Sequence, residues 1–293
     1  MVGALERQTL PADRFDVVIV DNASPDDTPV RIAALVAESP LRIRSLVETK
    51  RGPAATRNTG WRSSASPLVA FIDDDCVPEP GWLAAGFAAL DADERIGVVQ
   101  GHTDKPAGSV LGDWTLWRHV SGPTPYFEGL NIFYRRDALE RTGGFDEEIG
   151  NYGEDAALGW AVLEAGWQRD YAADAIAYHD VEERGVRYHL RTGLLDRNVA
   201  RIAKRHPQFR RDAFWQPWAF RRENAAFTIA LAGLLLTPWR RSALLLVLPY
   251  VRLRLPPRGH PRRSRFLFER VAVDAAQFAG MRMGSLRYRL AVL

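Results

Sequence analysis

The chain has 293 residues, 46% of them hydrophobic and nine of them Trp. That is enough apolar material for one large domain with an appendage, and it excludes a disordered chain. The formal charge of +3 hides a division: residues 1–180 carry 16 Lys and Arg against 29 Asp and Glu, a net of −13, whereas residues 181–293 carry 23 against 7, a net of +16. Such a split marks either two regions with different partners or an acidic domain docked on a basic tail.

Phe15–Asp21 (FDVVIVD) is a short, β-branched apolar run that predicts a buried strand ending in a carboxylate. Ser24-Pro-Asp-Asp-Thr28 supplies turn and cap residues for a helix to about Glu38. Leu41–Val47 reads as a second strand, and Gly52-Pro53 opens a helix through Arg57 and Trp61. Leu68–Ile72 is a third strand running straight into Asp73; Trp82–Leu90 is helical, and Ile96–Gln100 is a fourth strand. Strand–helix alternation predicts an α/β fold with a mostly parallel sheet flanked by helices. Ligands on such sheets gather at the carboxyl ends of strands, where Asp21 and Asp73 lie. Residues 101–127, with their Gly, Pro and aromatic side chains, read as a loop over a cleft. Asp137–Thr142 and Glu154–Gly166 read as helices, Tyr171–His179 as a strand ending in His, and Val186–His206 as one basic helix stopped by Pro207.

Asp73-Asp74-Asp75 follows a buried strand, and three adjacent carboxylates repel unless a cation or hydrogen-bond donors compensate them. The triplet reads either as a solvated acidic turn or as an oxygen-rich site for Mg²⁺ or Mn²⁺ beside the phosphates of a nucleotide. Arg57, in Ala55-Thr-Arg-Asn58, is either a surface arginine or a guanidinium that contacts a diphosphate or holds a cluster carboxylate. Asp155 opens the helix AALGWAVLEAG, so it either caps that helix or projects into a cleft as a base for an acceptor hydroxyl.

In order, VIVDNASPDDT, GPAATRNTG, FIDDDCVPEPGWL, GLNIFYRRDALERTGGFDEE and YGEDAALGWAVLEAG resemble the family 2 glycosyltransferases, and the likeness runs from about Leu10 to His179. The resemblance implies a GT-A fold and an inverting, single-displacement transfer from a nucleotide-sugar donor. It implies that Asp21 contacts the base or ribose, that Arg57 lies on the donor side, and that Asp73 and Asp74 serve the ribose and phosphates. Asp75 would be the direct ligand of Mg²⁺ or Mn²⁺, with His179, in Ala177-Tyr-His-Asp180, near the metal or the departing phosphate. Asp155 would be the catalytic base, and Glu154 would orient the acceptor.

The family usually begins with a strand carrying a Val-Ile-Pro-Thr-like run, then a helix ending near Leu-x-Gln. Here Ala4-Leu-Glu-Arg-Gln8 matches the end of that helix and the first strand is absent, which points to an initiation codon upstream of Met1 or to a shortened form. The first fifteen residues show no secretory signal, and the single cysteine, Cys76, asks for no oxidising compartment. The expectation is therefore a cytoplasmic catalytic domain over residues 1–205, with a basic, apolar, helical extension over 206–293.

In that extension Ala225–Trp239 and Ser242–Tyr250 are apolar runs bordered by Arg, each short of the roughly 20 residues that span a bilayer. They read either as core helices or as a peripheral contact with the inner face of the cell membrane. Partners expected are the donor and a glycan or lipid-linked acceptor in envelope polysaccharide or glycolipid synthesis, with no nucleic acid. Two other readings stay open: a nucleotidyltransferase of the same fold, against which stands the lack of a glycine-rich, lysine-bearing triphosphate loop, and a degenerate, membrane-associated binding protein.

Overall fold

The structure is a computed structural model that describes residues 1–256 and 263–293. The chain forms two compact units, residues 1–110 with 117–182 and residues 111–116 with 183–293.

In chain order the elements up to residue 183 are α1 (Val2–Leu5), β1 (Val17–Asp21), α2 (Thr28–Glu38), β2 (Ile43–Val47), α3 (Pro53–Arg62), β3 (Leu68–Ile72), β4 (Cys76–Pro78), α4 (Trp82–Asp91), β5 (Ile96–Asp104), β6 (Thr115–Leu116), β7 (Asn131–Arg135), α5 (Arg136–Thr142), α6 (Glu154–Glu164), β8 (Gln168–His179) and β9 (Glu182–Glu183). The α/β class read from the alternation holds. A five-stranded sheet runs in the order β3-β7-β5-β8-β4, and β1 and β2 form a separate parallel pair. The pairing is more mixed than the mostly parallel sheet expected: β5 and β8 are parallel, while β7 runs antiparallel to both β3 and β5, and β4 antiparallel to β8. Asn131–Arg135 was hidden in the sequence because its three-residue apolar run, Ile132–Tyr134, feeds directly into a helix with no turn signal to separate them.

Burial follows that pairing. Along β5 and β7, Val98, Val99, Ile132, Phe133 and Tyr134 have no exposed surface. Among the described residues β1 and β3 each have a ladder partner on one side only, and Val18–Val20 of β1 and Leu68–Ala70 of β3 stay half-buried. Among the described residues, only α1 precedes β1, so the strand with which the family begins has no counterpart. Val2 and Leu5 of α1 nonetheless join Val17, Ile43, Trp82, Val99 and Phe133 in one hydrophobic core.

The second unit is helical: α7 (Gly185–Gly193), a 3₁₀ turn (Leu194–Asp196), α8 (Arg197–Arg205), α9 (Pro207–Ala213), α10 (Arg222–Leu236), a 3₁₀ segment (Arg241–Val247), α11 (Leu248–Arg254) and α12 (Arg263–Tyr288). The single helix expected over Val186–His206 is two, broken at Leu194–Asp196. The break lies where α12 crosses: a Cβ on Gly280 would sit 2.6 Å from the Gly193 carbonyl oxygen. Pro207 opens α9 at its first turn, the helical position that tolerates a missing N–H.

Candidate active site

Strand pairing builds the first half of the site. β3 delivers Asp73 at its carboxyl end, and β4 pairs with β8 so that Cys76 lies opposite His179. The backbone N–H of Asp180 donates to the Asp75 carbonyl at 3.0 Å, which fixes the triplet against the end of β8. His179 is buried, and its Nδ1 lies 2.6 Å from the Asp180 carbonyl oxygen. A carbonyl only accepts, so Nδ1 carries the proton and donates it there. Nε2 is left with a lone pair, 3.5 Å from Asp75 Oδ2. Two acceptors converging in this way suit a divalent cation between them. Burial pushes the Asp75 carboxyl above its usual range, Asp73 and Asp74 add to that shift, and only a protonated His179 would oppose it. Among the described residues no three His, Cys, Asp or Glu side chains form a metal-ready group. Asp75 and His179 thus offer two converging donors and, by themselves, not a complete set of protein ligands.

The second half is built around Arg57 on α3, whose side chain is 13% exposed. Its Nη2 donates to Asp73 Oδ1 at 2.9 Å, and its Nη1 donates to Glu154 Oε1 at 3.1 Å and to Asp155 Oδ1 at 2.9 Å. One forked cation therefore joins the end of β3 to the start of α6, the bridging geometry that a lysine lacks. Burial works against its charge, yet Asp155, Asp73 and Glu154 together hold its pKa above the ordinary value.

Three carboxylates facing one cation cannot all ionise without strain. Burial, then the adjacent Asp155, pushes the Glu154 carboxyl up to about 8 against the pull of Arg57. Burial also raises Asp155, opposed by Arg57 and by the Gly129 N–H and reinforced by Asp73. Access separates the two: Glu154 is 6% exposed and Asp155 is 22% exposed, so Asp155 has the open face. Its Oδ2 accepts from the Gly129 N–H at 2.9 Å, an approach that needs glycine, because a Cβ there would lie 2.5 Å from Asp155 Oδ1 and 2.9 Å from Arg57 Cζ.

Asp21 is buried at the end of β1 and accepts from the Ser24 N–H at 3.1 and 3.3 Å. Asn22 beside it donates to the carbonyls of Glu48 and Lys50 and accepts from the Gly52 N–H, tying β1 to the loop before α3. Asp74 is exposed. The structure thus gathers Arg57, Asp73, Glu154 and Asp155 in one cluster and Asp75 with His179 in another, the two joined through the continuous 73–75 backbone. Among the described residues Asp21 makes no hydrogen bond or ion pair with either cluster.

Comparison with known proteins decides the family. The model of glycosyl transferase family 2 matches residues 1–146. The chain belongs to that family. A pre-mycofactocin glycosyltransferase of Mycobacterium tuberculosis is 31% identical over 170 residues, 54% of this chain and 36% of that protein. Glycosyltransferase AglE of Haloferax volcanii is 26% identical over 195 residues, 63% of this chain and 62% of that protein. The chain therefore spans less than two thirds of either relative's length. Among solved structures, the mannosyltransferase PcManGT of Pyrobaculum calidifontis, in complex with GDP-Man and Mn²⁺, superposes with a TM-score of 0.69 at 23% identity over 95% of this chain and 81% of that one. That likeness is one of fold, and the fold is GT-A.

The two clusters also rest on residues that sequence reasoning passed over. Gly129 holds Asp155, and its neighbour Glu128 accepts from Gln100 Nε2 at 3.1 Å and Thr124 Oγ1 at 2.5 Å. Asn58 donates to the Phe145 carbonyl and to Glu147 Oε1 while its Oδ1 accepts from the Phe145 N–H and Trp61 Nε1, fastening the loop before α6 to α3. The available signals were a Glu-Gly pair closing a long loop and a polar residue one step beyond Arg57; neither distinguishes itself from ordinary turn or helix-surface chemistry.

Proposed function

We propose that this family 2 chain is an inverting, metal-dependent hexosyltransferase that moves a sugar from a nucleotide-diphosphate sugar to a hydroxyl of a glycan or lipid-linked acceptor in cell-envelope synthesis. The observation that carries the reading is the Arg57 bridge, which brings the carboxylate at the end of β3 and the carboxylate at the start of α6 onto a single guanidinium. Donor chemistry and acceptor chemistry then meet in one place.

In this reading Asp21 takes the base or ribose, and Asp73 and Asp74 take the ribose and phosphate side. Asp75 and His179 hold Mg²⁺ or Mn²⁺. The cation supplies charge neutralisation for the departing nucleoside diphosphate. Arg57 keeps Asp73 and Asp155 at a fixed separation, so the two ends of the reaction stay aligned. Asp155, with one oxygen held by the Gly129 N–H and the other by Arg57, keeps its open face toward solvent and removes the proton of the incoming hydroxyl there. Glu154, buried behind it and carrying a proton near neutrality, keeps the pocket from accumulating a third negative charge and orients the acceptor side through Arg57 and Asp155. The GDP-Man and Mn²⁺ bound by the Pyrobaculum neighbour support a nucleotide sugar and a divalent cation. The basic second unit, in which no described helix is long and apolar enough to cross a membrane, supports peripheral contact at the inner membrane face.

Thermal shift against nucleoside diphosphates and nucleotide sugars, with and without Mn²⁺, tests the donor side, because a ligand that binds only the folded state raises its melting temperature. Asp155→Asn tests the base: it should keep the ligand-induced shift and lose roughly 10²–10⁴-fold in kcat. Turnover at the wild-type rate by that variant rejects the assignment, and the lack of a Mn²⁺-dependent shift with every nucleotide rejects the donor site.

A further inference from the structure

Beyond Phe227, which packs against Tyr250 and Phe278, α10 carries its side chains in the reverse of the usual order. The residues it buries are small, Ala225, Ala230 and Gly233, together with Asn224, while Ile229, Leu234, Leu235 and Leu236 face solvent. An ordinary amphipathic helix buries its large apolar side and exposes its polar one. The inversion has a local cause. At Gly233 the helix meets the 3₁₀ segment Arg241–Val247 so closely that a Cβ would lie 2.7 Å from the Ala243 carbonyl oxygen and 2.8 Å from Leu246 Cβ. The two arms of this hairpin touch where Gly233 leaves room for Ala243 and the stem of Leu246, while Leu234, Leu235, Leu244 and Leu245 stay exposed. The second arm repeats the pattern: it buries no residue, and Leu244, Leu245 and Leu246 are exposed. At the crest Trp239 is 78% exposed, beside a hollow of about 320 Å³ lined by Leu236, Trp239, Arg240, Ser242, Ala243 and Leu246.

Charge says what covers this surface. Between Glu223 and Glu269 the sequence has eight Arg and no Asp or Glu. Arg240 and Arg241, at the crest, are exposed and make no ion pair among the described residues. Isolated exposed leucines need no explanation, but a contiguous apolar patch does. Apolar side chains for hydrocarbon, a tryptophan for the boundary and arginines for phosphates are the combination that an anionic lipid surface selects. α10 has 15 residues and no described helix is long and apolar enough to cross a membrane, so such a surface would be met in its interface and not by a span.

We propose that the crest formed by the end of α10 and residues 237–248 inserts into one leaflet of an anionic phospholipid bilayer, Trp239 and the leucines among the acyl chains and Arg240 and Arg241 on lipid phosphates. This rests on the peripheral-membrane part of the functional reading and is independent of sugar transfer.

The test is flotation of the 293-residue chain with vesicles of phosphatidylcholine containing about 30 mol% phosphatidylglycerol, set against phosphatidylcholine alone. The expected result is at least roughly tenfold greater partition onto the anionic vesicles, falling as salt rises. Leu235→Glu combined with Trp239→Glu, both at exposed positions, should lower that partition about tenfold or more with an unchanged melting temperature. Arg240→Gln with Arg241→Gln should remove most of the salt dependence. Absence of vesicle binding by the wild type, or equal binding by the Glu variant, overturns the proposal. So does a dimer in light scattering that the same Glu substitutions dissolve without any vesicle binding, since the occupant is then a second copy. Flotation reads no turnover, so its failure and the failure of the transferase reading are separate results.

Discussion

At the start of α6 three carboxylates share one buried guanidinium, whereas at the crest beside α10 two guanidiniums face solvent next to exposed leucines. The first arrangement is closed: Asp155 accepts from Arg57 and Gly129, Glu154 and Asp73 accept from Arg57, and burial shifts the protons to fit. The second is open, since neither Arg240 nor Arg241 meets a carboxylate among the described residues. Charges satisfied inside a fold mark a place prepared for chemistry or held rigid. Charges left outside, together with apolar side chains left outside, mark a place whose partner is a medium or another molecule. The same residue type, arginine, therefore has different energetic weight in the two units, and that difference is measurable.

The largest effect expected is that of Arg57→Ala. Removing one member of a buried charge cluster leaves the others uncompensated, at a cost of about 3–5 kcal/mol. The loss should be greatest above about pH 8, where Glu154 no longer relieves it by holding a proton. Urea unfolding at several pH values reads it. A loss below about 1 kcal/mol at every pH would place Arg57 on a par with a surface arginine and dissolve the contrast.

Glu154→Gln sharpens the same contrast with a smaller, pH-dependent effect. The Glu154 carboxyl titrates near 8 in the fold against an ordinary 4.5. Its folded-state pKa is raised, so the folded chain binds that proton more tightly than the unfolded chain. The resulting stability is complete below about pH 4.5 and is lost as pH rises toward 8, with a slope of up to about 1.4 kcal/mol per pH unit. Glutamine, which has no proton to lose, should flatten that slope while leaving nucleotide-dependent thermal shifts in place. Parallel pH–stability curves for the two proteins count against a protonated Glu154.

Which parts of this were legible in the sequence follows from where the information lies. Asp73, Arg57 and Asp155 sit in contiguous motifs next to strand ends and helix starts; each alone reads as readily as a turn, a surface arginine or a cap, and it is the resemblance of the ordered motifs to the family that points to one site before any fold is known. That a single guanidinium joins them is not local. It depends on α3 and α6 being brought together, and on Gly129, 26 residues before Asp155, leaving room for both side chains. The antiparallel entry of β7 was unreadable for a similar reason, because strand direction is set by pairing and not by composition. In the second unit the helical periodicity of 186–206 was continuous, and only the crossing of α12 at Gly280 accounts for its break at Leu194–Asp196. The apolar runs at 225–239 and 242–250 were visible as runs; which side each would turn outward was decided by the contact at Gly233.

The smallest effect separates arginines within the basic unit itself. Arg254 donates to Asp274 Oδ2 through Nε at 2.8 Å and to Oδ1 through Nη2 at 2.5 Å, and Tyr250 Oη donates to the same buried carboxylate at 2.7 Å. Arg265 also faces a carboxylate, Glu269 one helical turn away at 2.8 Å, but its side chain is 67% exposed. Distance alone would rank the two pairs together. Desolvation ranks them apart: water screens the exposed pair, and each side chain gives up rotamer freedom to make it. Arg265→Ala should therefore change stability by about 1 kcal/mol or less, an effect that fades as salt is raised. Arg254→Ala leaves Asp274 and Tyr250 with a charge that no water reaches, and should exceed it severalfold. Chemical unfolding of both variants at low and high salt decides the matter. If Arg265→Ala matched Arg254→Ala, exposure would not be the variable that distinguishes the arginines of this protein, and the contrast between Arg57 and Arg240 would lose its physical basis.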